Sequence, residues 1–140
     1  MIKLRKIDHV AVCAPDIDEA AAPWRALLAD ATALPAPLRE LVASQQTDTL
    51  LLSVDGAACI ELIAPKGSDS LVRFLAKRGP GLHHIAFEVE GLEEAIATLK
   101  AMGMAMIDEV PRIGARGHKV AFVHPRAFGG VLVELVEPTS

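Results

Sequence analysis

Asp8-His9-Val10-Ala11-Val12 near the start of the chain is echoed by His83-His84-Ile85-Ala86-Phe87 in its second half. Each stretch is a short run rich in β-branched or aromatic residues, the composition of a strand. Each is followed by a break and a helix-like segment, Asp16-Ile17-Asp18-Glu19-Ala20 in one case and Gly91-Leu92-Glu93-Glu94-Ala95 in the other. A second echo comes later, Ile60-Glu61-Leu62-Ile63-Ala64-Pro65 against Val133-Glu134-Leu135-Val136-Glu137-Pro138. The two echoes keep their order and are offset by 75 and 73 positions, the signature of an internal repeat. The chain therefore reads as one domain, residues 1–140, made of two similar modules at about 5–65 and 80–138.

Working outward, each module is expected to carry a strand, a helix and further strands. Asp16 and Asp18 suit a helix N-terminus, where negative charge meets the positive end of the helix dipole. That helix runs through Trp24, Leu27 and Leu28, with Pro23 expected to kink it or end a first turn. The second spans about Leu92 to Met102, with Leu92, Ala95, Ile96, Leu99 and Met102 at amphipathic spacing and Gly103 as its stop. Thr49 to Val54 and Lys119 to His124 read as strands. Asp55-Gly56 and Gly129-Gly130 supply hairpin chemistry before the Glu-bearing strands. The segments from Leu34 to Glu40 and from Ala64 to Gly81 are broken by Pro and Gly, the second holding a short helix around Ser70 to Lys77 before it links the modules. The outline is βαβββ, twice.

The composition fits a globular core, at 51% hydrophobic and 23% charged residues. A formal net charge of −4 argues against a nucleic-acid partner. Arg112, Arg116, Lys119 and Arg126 nevertheless make a local basic cluster suited either to solvent or to a small anionic ligand. No stretch approaches the roughly 20 apolar residues of a membrane span, and no apolar signal core follows the basic start. A soluble cytoplasmic protein is the expectation, with Cys13 and Cys59 as reduced thiols.

Strand parity selects candidate ligands, because side chains alternate between faces. His9 shares a face with Ala11 and Cys13, and His84 with Ala86 and Glu88. Glu61 lies with Cys59 and Ile63, while Glu134 stands opposite Val133 and Leu135. The bulky apolar neighbours thus point away from each candidate ligand toward the helices, and the alanines beside the histidines are expected to leave room for a substrate. His83 falls on the wrong face. His118 and His124 have no repeat partner and read as loop or turn residues. Two imidazoles and two carboxylates at matching repeat positions form a mixed nitrogen and oxygen set for one divalent cation, His9, Glu61, His84 and Glu134.

These stretches resemble the vicinal oxygen chelate superfamily of glyoxalases, bleomycin-resistance proteins and dioxygenases, over nearly the whole chain. The nearer likeness is to the methylmalonyl-CoA epimerase family. It is carried by Ile7-Asp8-His9-Val10-Ala11-Val12, by Gln46 ten positions before Gly56, and by the run from Ser70 to Phe87 (SLVRFLAKRGPGLHHIAF). It is carried further by the run from Pro111 to Pro125 (PRIGARGHKVAFVHP) and by Gly129 to Leu135 (GGVLVEL). Trp24 matches an aromatic packing position of the family's first helix.

The resemblance implies an α+β fold, two βαβββ modules forming a cup-shaped mixed sheet with helices outside, often as a homodimer. It implies one divalent metal ion (Co, Ni, Mn or Zn) on His9, Glu61, His84 and Glu134, with an acyl-CoA substrate. The implied reaction is epimerisation at C2 through a metal-stabilised enolate, with Glu134 both ligand and base. Gln45, Gln46, Arg116 and Lys119 are the implied substrate contacts, Arg116 and Lys119 through the CoA phosphates. The sequence departs from the family at Gln45, where a second carboxylate base is usual, since an amide cannot carry a proton in that role. Glu40 and Asp48 lie nearby, Asp48 expected to face away and Glu40 to serve only if its loop bends. Two other activities share the ligand set: a glyoxalase-I-like lactoylglutathione lyase, and a bleomycin-resistance-type protein that binds a ligand without chemistry.

Overall fold

The computed structural model describes residues 1–28 and 37–139. In chain order the elements are β1 (Lys3–Cys13), α1 (Ile17–Leu27), β2 (Leu38–Val42), β3 (Thr47–Ser53), β4 (Cys59–Pro65), α2 (Asp69–Arg78), β5 (Gly81–Glu90), α3 (Leu92–Ala101), β6 (Arg112–Ile113), β7 (Lys119–Val123) and β8 (Val133–Glu137). The chain is α+β, and the order strand, helix, three strands occurs twice with α2 between. Two compact units cut across these repeats. Unit one holds Met1–His9 with residues 84–139, and unit two holds the described part of Val10–His83. Strands β1 and β5 contribute to both.

In unit one the strand order is β1-β5-β8-β7-β6. β5 and β8 are parallel, with Ala86 opposite Glu134, whereas β7 runs antiparallel to β8, with Phe122 opposite Glu134. Paired residues share a face, so His84, Ala86, Phe122 and Glu134 lie on one side of these strands. The other side packs on α3. There Leu92, Ala95, Ile96 and Leu99, at the spacing of one helical face, meet Val89, Ala121, Val123, Val133 and Leu135. Each buried Leu or Ile of that seam contributes roughly 1.5–3 kcal/mol, and Leu92→Ala, at a fully buried position, would cost about 2–5 kcal/mol. Gly91, with φ of 76°, sits at the N-terminus of α3, and Gly103, with φ of 84°, lies just beyond Met102 at its end.

In unit two the order is β2-β3-β4-β1. Leu50, Leu52, Leu62 and Ala64 cover Ile17 and Ala21 of α1, with Trp24 packed at the margin as expected for a core aromatic. Residues of the alternate parity, Ala11, Cys13 and Ile63, pack on Leu71, Phe74 and Leu75 of α2. Asp16 caps α1 by accepting from Glu19 N at 3.1 Å, and Ser68 caps α2 by accepting from Leu71 N at 3.3 Å.

Several expectations change. Helix α1 continues through Pro23 to Leu27 and is not ended by it. The irregular segment from Leu34 to Glu40 lies partly outside the described residues, Leu34 and Pro35 included, but its end is strand β2. Asp55-Gly56 belongs to a five-residue connection, in which the Asp55 carboxylate accepts from Ala57 N and Ala58 N. Gly129-Gly130 follows a 3₁₀ turn, Pro125–Phe128, so it closes that turn rather than a tight hairpin. Ala86 is fully buried against Val120 and Val136. Ala11 is likewise enclosed, so neither alanine leaves the open space foreseen beside its histidine. Cys13 and Cys59 are free thiols, and burial pushes the Cys13 thiol up to about 11. Among the described residues no helix is long and apolar enough to cross a membrane.

Candidate metal centre

Three of the sequence candidates converge in unit one. His9 comes from β1, His84 from β5 and Glu134 from β8, and all three are buried. Glu134 Oε1 lies 3.1 Å from His9 Nε2 and 3.1 Å from His84 Nε2. The two imidazole nitrogens are 3.2 Å apart. The parallel register explains the geometry, because Glu134 faces Ala86 and His84 is the next residue of β5 on that face. Phe122, opposite Glu134 on β7, stands edge-to-face on the His84 ring with centroids 5.2 Å apart and fixes its plane.

His9 is held from behind. Its Nδ1 lies 2.7 Å from Asp8 Oδ2, and the same oxygen accepts from Arg116 Nη2 at 2.6 Å. Burial alone would raise the Asp8 carboxyl, but the hydrogen bond from His9 and the Arg116 charge hold it below the usual carboxylate range. An ionised Asp8 can only accept, so a proton sits on Nδ1, and the neutral form of His9 would turn the lone pair of Nε2 toward His84 and Glu134. The result is a triangle of donor atoms that repel one another unless something positive lies among them. Protons are one solution: burial would raise Glu134, yet hydrogen bonds from His84 and His9 hold its carboxyl down to about 2. A cation is the other. Ligands about 2.1 Å from a metal lie about 3.0 Å apart at adjacent octahedral positions and about 3.4 Å apart at tetrahedral ones. The observed separations of 3.1, 3.1 and 3.2 Å fall between these values. Two nitrogens and a carboxylate oxygen in this spacing fit a divalent metal.

Residues 8–122 match the model of the glyoxalase/bleomycin resistance protein/dioxygenase superfamily. The chain belongs to this superfamily. Within it, the mitochondrial methylmalonyl-CoA epimerase of Bos taurus is 38% identical over 134 residues, covering 94% of this chain and 74% of that protein. The crystal structure of methylmalonyl-CoA epimerase from Mycobacterium tuberculosis superposes with a TM-score of 0.86 at 33% identity, covering 98% of this chain and 90% of that one. A variant methylmalonyl-CoA epimerase of Streptomyces coelicolor, in complex with 2-nitronate-propionyl-CoA, superposes with a TM-score of 0.85 at 28% identity, covering 99% of this chain and 100% of that one. By these likenesses the chain is a methylmalonyl-CoA epimerase-like isomerase of the superfamily.

The remaining candidates occupy several places in this superfamily member. Glu61 is buried on β4 of unit two, paired across the strands with Leu51. Gln45 ends a 3₁₀ turn, Ala43–Gln45, and is not part of β3. Gln46 follows in the left-handed region with φ of 49°, its carbonyl accepting from Lys66 N. Asp48, the carboxylate near Gln45, takes two hydrogen bonds from Arg39, at 3.0 and 2.6 Å. Glu40 lies on β2 opposite Thr49, not on a bending loop. Lys119 is exposed at the start of β7 and Arg126 is exposed in the Pro125–Phe128 turn. Arg112 sits 3.3 Å from Asp108 and over the Phe122 ring. His83 packs edge-to-face on Phe74. His118 accepts from Thr139 N of the C-terminal segment, and His124 accepts from Arg126 N within its own turn.

Asp8 was missed by sequence reasoning. Strict alternation puts it on the face opposite His9, and only its short reach to the neighbouring Nδ1 brings it into the centre. The signal was present, since a carboxylate beside a ligating histidine is a recurrent supporting arrangement.

Proposed function

We propose that this chain is a metal-dependent epimerase acting at C2 of methylmalonyl-CoA or a related 2-substituted malonyl-CoA thioester. The observation that carries the proposal is the triangle of His9 Nε2, His84 Nε2 and Glu134 Oε1, three electron-pair donors within 3.2 Å of one another in a buried place. Co, Ni, Mn or Zn would suit this donor set, and Glu61 is proposed as a fourth ligand by its repeat equivalence to Glu134. A bound divalent cation would act as a Lewis acid, drawing charge from the thioester oxygen as the C2 proton leaves.

The chain's own residues supply the proton chemistry. Glu134, ionised at neutral pH, is the base that removes the C2 proton. Inversion needs an acid on the opposite face. Asp48 is a poor choice for it, because its carboxylate is committed to Arg39 and held low by that pair. Lys119 is proposed to meet the CoA phosphates as an exposed cation, and Gln45 and Gln46 to line the substrate from the turn before β3. The working form is proposed to be a homodimer, which sedimentation equilibrium would establish.

Incubation of the metal-loaded protein with one epimer in deuterated water tests the activity. Deuterium should enter C2 and the second epimer should accumulate. Glu134→Gln should slow both by about 10²–10⁴-fold, the worth of a positioned base. No exchange and no racemisation by the wild type would refute the proposal.

A further inference from the structure

Arg116 occupies a conformation that side chains rarely adopt, with φ of 60° and ψ of 16°. The loop around it is closely tied. Gly114 N donates to His118 O, Gly117 N to Gly114 O, and His118 N to Ala115 O. The C-terminal segment adds two further ties, Thr139 N to His118 Nδ1 at 3.2 Å and Thr139 Oγ1 to Gly117 O at 3.1 Å. Such a residue persists where its surroundings over-determine it. What the conformation achieves is the delivery of one guanidinium nitrogen to Asp8 Oδ2, the oxygen that also faces His9 Nδ1. Asp8 is 4% exposed and His9 3%, so the pair is sealed from water that would otherwise hold the carboxylate.

We propose that Arg116 is a positioning residue for the metal centre, acting through Asp8 to fix the ring orientation and tautomer of His9. Without the clamp, the Asp8 carboxylate is free to rotate about its side chain, and His9 loses the acceptor that keeps its proton on Nδ1. The tautomer with the proton on Nε2 then points a hydrogen, not a lone pair, at the place where the cation is expected. This role differs from contact with the CoA phosphates, because it acts on the metal-facing nitrogen of His9 and not on the substrate. It rests on the reading of His9, His84 and Glu134 as metal ligands.

The test compares wild type with Arg116→Gly, Arg116→Lys and Asp8→Asn. Glycine is at ease at this φ, so the loop backbone has no reason to change; circular dichroism checks that each variant is folded. Titration with Co(II) should give an affinity weakened about 10–100-fold in Arg116→Gly and Asp8→Asn, with part of the loss restored in Arg116→Lys. The double variant should lose no more than either single one, because both act through one contact. In the metal-free protein, nitrogen NMR should report a proton held on His9 Nδ1 in wild type and its partial loss in Arg116→Gly. Wild-type Co(II) affinity and an unchanged tautomer in Arg116→Gly, with a raised KM for the acyl-CoA, would overturn the proposal and make Arg116 a substrate contact. Failure of the wild type itself to take up Co(II) would be seen separately and would remove the metal reading together with the proposal.

Discussion

His9 Nε2 and His84 Nε2 lie 3.2 Å apart, 75 positions apart in sequence, and share one oxygen of Glu134. Two imidazoles approach this closely only when a proton or a cation offsets the repulsion between their lone pairs. Protein stripped with a chelator should therefore melt at a lower temperature and recover on adding Co(II), Mn(II) or Zn(II). At a free cation concentration 100 times Kd the stabilisation is about 2.7 kcal/mol. His84→Ala should abolish that recovery. A melting temperature indifferent to every divalent cation would count against the metal.

Glu134 ties stability to acid pH. Its carboxyl is held at about 2 in the folded chain against an ordinary value of 4.5. The folded state therefore binds fewer protons than the unfolded chain between these values, and stability falls as pH falls. The contribution is complete above about 4.5 and is lost on descending toward 2. Asp8, also lowered, acts in the same direction. In the metal-free protein, urea midpoints measured from pH 6 to pH 3 should drop, and Glu134→Gln should flatten that slope without removing it. An unchanged slope in the variant would mean that the carboxyl is not held low.

Much of this site was legible because duplication and alternation are strong constraints. The repeat offsets brought His9 and His84 together as candidates, and parity chose His84 over His83, whose ring instead packs on Phe74. Parity likewise separated the faces of β5 and β8, with Val89, Val133 and Leu135 on α3 and His84 and Glu134 on the other side. What was not legible depended on short elements or on single side-chain reach. β2 follows a proline-broken segment and β6 is two residues long, too short for any period to declare itself. Arg116 was read as a cation awaiting an anionic ligand, but its left-handed backbone, invisible in an Ala-Arg-Gly stretch, turns it onto Asp8.

Arg39 and Asp48 provide a test of unit two that does not touch the metal ligands. Asp48 is nearly buried and accepts from two guanidinium nitrogens. Arg39→Ala leaves that carboxylate without its partner, which costs about 1–3 kcal/mol in a fully buried setting. The Arg39 side chain is 46% exposed, so water takes up part of its role and the expected loss is near the lower end, about 1 kcal/mol. Adding Asp48→Asn should recover some of it. Chemical denaturation reads both changes, and an Arg39→Ala variant as stable as wild type would show that the pair is only a surface contact.

Gln45 sets the last expectation, which concerns the balance between exchange and inversion. A carboxylate at Glu134 can take the C2 proton and return it, or a solvent deuteron, to the same face. An amide at Gln45, in the substrate-lining role proposed for it, has no comparable proton to give to the other face. C2 of the recovered starting epimer should then acquire deuterium faster than the opposite epimer forms. Mass spectrometry of the recovered substrate, alongside chiral analysis of the product, gives both rates from one incubation. Equal rates would mean that a second acid stands opposite Glu134, and Glu40, the other carboxylate of this region, would be the first residue to replace with glutamine. Exchange well ahead of inversion would instead identify Glu134 as the working base of a chain whose opposite face is poorly supplied with protons.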